Sequence, residues 1–362
     1  MIVDDTRPDA NGHGRHSIDV TAAPSTQRPM ALVMWLALWG IMMFPATQLA
    51  EAQLTYRSGQ PVSTAYEGWE EEGPNRTKYF LFGYMNSNWE QEPDVPIGPN
   101  NYFVLGRPGT GGADAAAFDP ATADQGQPTH FLPRRNRFVF RVPVPEGFRE
   151  ADEVIWTLTV NGQTVSAYGS LRLDYKVDNM VRGSEQGAFG AGSTNPAIRA
   201  NLAPTLTVEG ASEHTIRVNE PLTLVAIASD DGVPEATKPT DQGAASAAAA
   251  ALGLAGPARV RPGWRKPTRI TVGSATGLRL SWYVYRGTGA VTFSPEQTKV
   301  WEDTRVHANS PWANYWYPPP VPEDSRFQTE VTFTEPGTYV LRCLASDGVL
   351  NVDSDVTVTV TP

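Results

Sequence analysis

Between Thr205 and Pro362, turn residues cut the chain into about seven short runs, and within most of them apolar and polar side chains alternate. In order these are TLTVEG, TIRVNEPLTLVAIASDDG, LRLSWYVYRG, AVTFS, QTEVTFTEPG, TYVLRCLASDG and DVTVTVTP. A period of two puts successive side chains on opposite faces, so such runs suit half-buried strands and not amphipathic helices. Several strands of this kind, with Gly, Pro, Asn and Asp between them, point to a β-sandwich. The whole chain carries 32 Gly and 31 Pro in 362 residues, which punctuates it too often for a helical protein.

Residues 53–185 read as a first β unit on the same grounds. In EVIWTLTVNGQTVSAYGSL (153–171), Asn161-Gly162 is a two-residue hairpin signal, because a type I′ turn needs positive φ at both central positions. Trp156, Leu158 and Val160 share one face before that turn, and an alternating run through Val165 and Ala167 follows it. KYFLFGYMN (78–86) and RFVFRVPVP (137–145) are further strands, the second confined by its prolines to an edge or a strand end. A Gly- and Ala-rich loop at 105–129 is long enough to be mobile or functional. The Gly-, Ser- and Ala-rich stretch 186–204 reads as a linker. The second sandwich, 205–362, is interrupted at 233–275 and 301–327; the first insertion holds the alanine tract AASAAAAALGLAG, which suits a short helix. The expected architecture is all-β, with two β-sandwich domains in tandem and long loop insertions.

ALVMWLALWGIMMF (31–44) is uncharged and almost wholly apolar, and Ala50 and Ala52 follow in the small-x-small pattern that signal peptidase reads. Residues 1–52 are expected to be a disordered polar N-terminus plus a signal peptide, cleaved after Ala52. The competing reading is a membrane anchor, but this run falls short of the ~20 apolar residues that a helical span needs. Cleavage leaves no stable membrane insertion and an exported product: periplasmic, cell-surface or extracellular. A formal net charge of −10 argues against a nucleic-acid partner. Cys343 is the single cysteine, so no intramolecular disulfide forms. It shares strand parity with Tyr339 and Leu341, as a core hydrophobe would, while Val340 and Arg342 face the other way.

The order SW, GTGAVTFS, VTFTEPGTYVLRCLASDG and DVTVTV resembles the PKD-like group of immunoglobulin-type sandwich domains, in which a Trp follows the start of the third strand, a G-T-Y step opens the penultimate strand and an S-D-G turn leads to the last. Trp282, Gly337, Thr338, Tyr339, Asp347 and Gly348 carry the match, over residues 205–362. The resemblance implies a corner tyrosine at Tyr339, its ring in the core and its hydroxyl holding the preceding loop. The insertions at 233–275 and 301–327 depart from it.

No H-E-x-x-H, G-x-S-x-G, P-loop or C-x-x-C occurs, and beyond the signal segment only His130, His214 and His307 are available. His130 lies just ahead of Arg134, Arg135 and Arg137, a basic stretch that either meets an acidic partner or pairs neighbouring carboxylates. Two candidate sites remain. Asp230, Asp231 and Asp347, in SDDG and SDG turns, could offer oxygens to calcium if the turns converge; otherwise they cap their own turns. Trp301, Trp312, Tyr315, Trp316 and Tyr317 sit in an insertion stiffened by Pro318, Pro319 and Pro320, and form either a ligand platform or a cover over the sandwich. The reading that follows is an exported, non-enzymatic structural or interaction module of the cell envelope, with a protein or glycan partner and no cofactor unless calcium binds. A carbohydrate-binding protein using 301–327 is the alternative, and an enzyme with its site at the domain junction is the second alternative.

Overall fold

The computed structural model describes residues 57–106, 119–184, 196–237, 275–301 and 317–362. Residues 54–362 belong to one compact unit. Two pairs of sheets make up its described part. In the N-terminal half β1 (Val62–Glu72), β2 (Thr77–Asn86) and β4 (Arg134–Pro143) form one antiparallel sheet in the order β1-β2-β4. The other contains β3 (Asn101–Gly106), β5 (Glu153–Val160) and β6 (Gln163–Gly169) in the order β3-β5-β6. Their facing sides bury an aromatic core of Phe80, Phe82, Phe103, Phe140 and Trp156. The Trp156 indole is stacked on Phe103 with centroids 5.9 Å apart and meets Phe140 edge-on, the arrangements that ring quadrupoles favour. Its N–H donates to Asn101 Oδ1 at 3.0 Å, and the Asn101 amide in turn donates to Val95 O and Pro128 O, so this buried polar group is satisfied.

The β5–β6 turn has φ 50° at Asn161 and 75° at Gly162, the type I′ geometry that the dipeptide demands. β4 is an edge strand, as its prolines require. β1 and β3 were not among the strands expected from sequence. β1 is rich in Glu and changes register at Gly68, where φ is 124° and a Cβ would lie 2.4 Å from Tyr175 O and from a Val177 methyl. That bulge breaks the period of two on which strand recognition depends.

The C-terminal half contains a sheet in the order β11 (Val291–Ser294), β12 (Arg326–Phe333), β9 (Leu222–Ser229), β7 (Thr205–Val208). Against it lies a sheet in the order β10 (Arg279–Arg286), β13 (Gly337–Ser346), β14 (Asn351–Thr361), β8 (Glu213–Arg217), with β8 parallel to β14. This is the strand order of an immunoglobulin-like sandwich. The run TIRVNEPLTLVAIAS supplies two strands instead of one. It turns at Asn219, φ 63°, and crosses from one sheet to the other. Leu224, Ala226, Trp282, Leu341, Cys343 and Val358 fill the space between the sheets. Tyr339 is fully buried against Phe333, and its hydroxyl donates to Glu335 O at 2.9 Å, so it is the corner residue that the resemblance implied.

The expected signal segment and the alanine tract lie outside the described residues. Of the expected linker, the described end, 196–204, is anchored. Pro196–Ala200 form a 3-10 turn with Ile198 buried, and the next residue, Asn201, donates through Nδ2 to Asp347 Oδ2 at 2.8 Å. Among the described residues no helix is long and apolar enough to cross a membrane.

Candidate functional site at the junction of the two halves

β10 is an edge strand, so one row of its backbone groups is open to a partner. The N-terminal half supplies that partner. Tyr285 O accepts from Thr129 N at 3.1 Å and His130 N at 3.3 Å. The register of β10 against β13 slips between Val284 and Arg286, which leaves Tyr285 without a ladder partner. Its ring is buried as a member of the N-terminal core, and its hydroxyl donates to Gly126 O. Arg286 closes the same seam, donating from Nε to Gln127 O at 2.9 Å and pairing bidentately with Asp124 at 2.9 and 2.7 Å.

Arg342, at the centre of β13, does the same from the next strand. It points away from the core of its own sandwich yet is only 7 % exposed. Its guanidinium lies 3.5 Å from the Tyr285 ring centroid, pairs with both oxygens of Asp355 at 2.7 Å, and donates from Nη1 to Val139 O at 3.0 Å. A buried charge persists only when so surrounded. Burial disfavours its charged form, but Asp355 and the neighbouring groups outweigh that and hold the guanidinium charged.

Beside this seam the segment 297–301 folds over β10. Gln297 Oε1 accepts from Trp282 N at 3.1 Å, and its amide donates to Pro295 O at 2.7 Å and to Thr329 Oγ1 at 3.1 Å. A cleft of about 380 Å³ opens between this segment and the N-terminal half, lined by Glu92, His130, Tyr283, Gln297, Lys299 and Trp301. Lys299 Nζ sits 5.5 Å from the Trp301 ring centroid. His130 Nδ1 lies 2.7 Å from Asp94 and Nε2 3.1 Å from Glu92. Burial opposes its protonation, but the hydrogen bonds to Asp94 and then Glu92 prevail and raise its pKa to about 9. An imidazole held protonated at neutral pH is a poor general base. Cys343 is equally unsuited to attack, since burial pushes its thiol well above the ordinary range. The cleft offers a ring, an ammonium, an amide and a carboxylate–imidazolium group, which is the chemistry of recognition.

The structure places the sequence-derived candidates as follows. Trp301 lines the cleft and Tyr317 is half-buried, while Trp312, Tyr315 and Trp316 lie outside the described residues. Asp230 Oδ2 accepts from Gly232 N at 2.9 Å, and Asp231 Oδ1 from Val233 N at 2.8 Å. Asp347 is buried, its Oδ1 accepting from Val349 N at 2.6 Å and Leu350 N at 2.7 Å. Burial raises the pKa of both Asp230 and Asp347. All three cap their own turns, and among the described residues no three acids, histidines or cysteines gather so as to hold a metal ion. The arginines behind His130 engage the chain itself. Arg135 pairs with Glu67 at 2.6 Å, and Arg137 donates to Ser184 O at 3.2 Å. Sequence reasoning missed Tyr285, Arg286 and Arg342. The one local signal was an arginine set in the apolar run YVLRCLA.

No family model matches the chain, and no curated protein does. Among solved structures, the S-layer protein rSbsC aligns at 8 % identity over 83 % of this chain, with a TM-score of 0.20; the chain spans 28 % of that protein's length. A domain fragment of intimin aligns at 9 % identity, covering 83 % of this chain and all of the fragment, TM-score 0.20. A three-domain fragment of the titin I-band aligns at 9 % identity over 83 % of this chain and 64 % of that one, TM-score 0.19. Superpositions this loose carry no weight, and the fold assignment rests on strand order alone.

Proposed function

We propose that this chain is an exported, non-enzymatic module of the cell envelope that serves as a stiff structural or docking element for a protein partner. The observation that carries this reading is the seam between the halves, where Tyr285 of one sandwich is buried in the core of the other and Arg342 and Arg286 lock across it. A joint so built resists hinge motion, which suits a spacer or a docking platform better than a device that closes on a substrate. Export rests on the apolar run 31–44 and on Ala50-x-Ala52. The C-terminal half is PKD-like on Trp282, Gly337, Thr338 and Tyr339. N-terminal sequencing of protein from the producing cell, combined with cross-linking in intact envelopes, tests both parts. The expected product begins at Gln53 and cross-links to an envelope protein. Retention of residues 32–44 in a membrane fraction contradicts export, and a chain that cross-links to nothing contradicts the docking role.

A second reading, carbohydrate binding, is favoured by the cleft in which Trp301 stands beside Gln297, Lys299 and Glu92. An aromatic face with planar hydrogen-bonding groups around it is suited to a sugar ring. Glycan-array binding that is lost on Trp301→Ala supports it; an array with no signal removes it.

A further inference from the structure

Lys299 also lines a second cleft at the same junction, with Arg135, Arg137, Arg182, Arg279 and Ser281. Five cationic side chains converge there in a chain of net charge −10, and among the described residues lining the cleft there is no carboxylate. The four arginines are held in place by the chain itself: Arg135 pairs with Glu67 and Arg182 with Glu70, each at 2.6 Å, Arg137 donates to Ser184 O at 3.2 Å, and Arg279 is bonded to Ala275 O. Lys299 makes no ion pair among the described residues, and its ammonium lies beside the Trp301 ring.

The wall is shaped by an irregularity in β4. Phe82 pairs with Phe140 and Tyr84 with Asn136, so residues 137–139 all stand opposite Gly83. A Cβ on Gly83 would lie 2.4 Å from Asn136 O, so the bulge needs glycine across from it. Phe138 within it has φ 50°, a strained value for a bulky residue. The Phe138 ring is flanked by two guanidiniums, Arg137 at 5.1 Å and Arg182 at 4.7 Å from its centroid. Bulges re-aim side chains, and this one brings Arg137 to the junction, where the C-terminal half supplies Arg279, Ser281 and Lys299. Arg279 is 8 % exposed and donates from Nη1 to Ala275 O at 2.8 Å, which fixes its guanidinium plane. The cleft volume is about 100 Å³, room for several waters when one needs ~10–15 Å³.

We propose that this cleft is a binding site for a small, multiply charged oxyanion of the sulfate or phosphate type, free or carried by a saccharide. Guanidinium, ammonium and hydroxyl groups lining one cleft are the groups that recognise such oxygens, and cations drawn from both halves make the anion a further clamp across the seam. The proposal is independent of export and of any protein partner.

Isothermal titration of the purified full chain with sodium sulfate and with sodium phosphate, at constant ionic strength set by chloride, tests it. Saturable one-site binding is expected, and Lys299→Glu should weaken it about tenfold or more, the size of one lost charge-assisted contact. Arg137→Ala should do the same; if that variant fails to fold, Lys299→Glu, at a side chain with no ion pair among the described residues, decides alone. A sulfated disaccharide that binds more tightly than inorganic sulfate, with its unsulfated counterpart silent, supports the saccharide-borne form, and equal affinity supports the free ion. No saturable heat, or saturable binding untouched by Lys299→Glu, overturns the assignment.

Discussion

Arg342→Met removes the guanidinium at the centre of the seam while keeping an unbranched apolar stem. Three interactions go with it: the bidentate pair with Asp355, the bond to Val139 O and the contact with the Tyr285 ring. Breaking a fully buried ion pair costs about 3–5 kcal/mol. Here Asp355 and Asp353, 38 % and 44 % exposed, can rehydrate once the cation is gone, which lowers that figure. The Val139 carbonyl is left without its arginine donor, a penalty of about 1–3 kcal/mol, and the desolvated ring contact adds roughly 1–2 kcal/mol. Methionine recovers part of this through packing. The net expectation is a loss of about 2–4 kcal/mol, read as a lower urea midpoint with unchanged slope by tryptophan fluorescence and circular dichroism. A double-mutant cycle with Asp355→Asn should return a coupling of about 1 kcal/mol or more. A loss below about 0.5 kcal/mol, the range of an ordinary surface change, would refute the view that Arg342 fastens the halves together.

Tyr339→Phe should cost about 1 kcal/mol for the bond to Glu335 O, and Tyr339→Ala about 3–5 kcal/mol for an emptied core site; equal and negligible effects in urea melts would remove its corner role. His130 is held protonated by Asp94 and Glu92 up to about pH 9, against an ordinary value near 6.5. Its contribution is therefore fully present below about pH 6.5 and fades as pH rises through about 9, for a loss of up to about 3 kcal/mol. Urea midpoints followed across that window should show the decline, and His130→Gln should flatten it. Cys343, buried with its thiol pKa raised, should resist thiol-specific labelling until the chain unfolds; prompt labelling of the native protein would place it at the surface.

How legible each part of the fold was depended on how local its determinants are. Asn161-Gly162 specifies a turn through two residues and could be read directly, whereas the corner at E-P-G-T-Y was implied by the resemblance to PKD-like domains. The strands of the C-terminal half showed because one face of each is buried and the alternation survives. β1 was hidden by its glutamates and by the Gly68 bulge, and the second strand in TIRVNEPLTLVAIAS by a turn at Asn219, a residue type that tolerates positive φ without announcing it. The seam was not readable at all. Tyr285, Arg342 and Asp124 are brought together by topology across long sequence separations, and Arg342 read simply as a residue on the outward face of β13. Of the residues singled out for binding, Trp301 falls in a cleft, whereas Asp230, Asp231 and Asp347 hold the turns in which they occur. The basic cleft was legible only in part, because Arg135 and Arg137 lie together on β4 and showed as a basic stretch, whereas Arg182, Arg279 and Lys299 come from other elements.

Differential scanning calorimetry of the chain from Gln53 onward tests most directly whether the two sandwiches behave as one body. A seam that shares Tyr285 between cores and buries Arg342 against Val139 O should couple their unfolding. One transition is expected, with a calorimetric enthalpy equal to the van 't Hoff enthalpy, and Arg342→Met should lower its midpoint. Two resolved transitions in the unaltered chain, each with its own two-state enthalpy, would contradict a rigid junction.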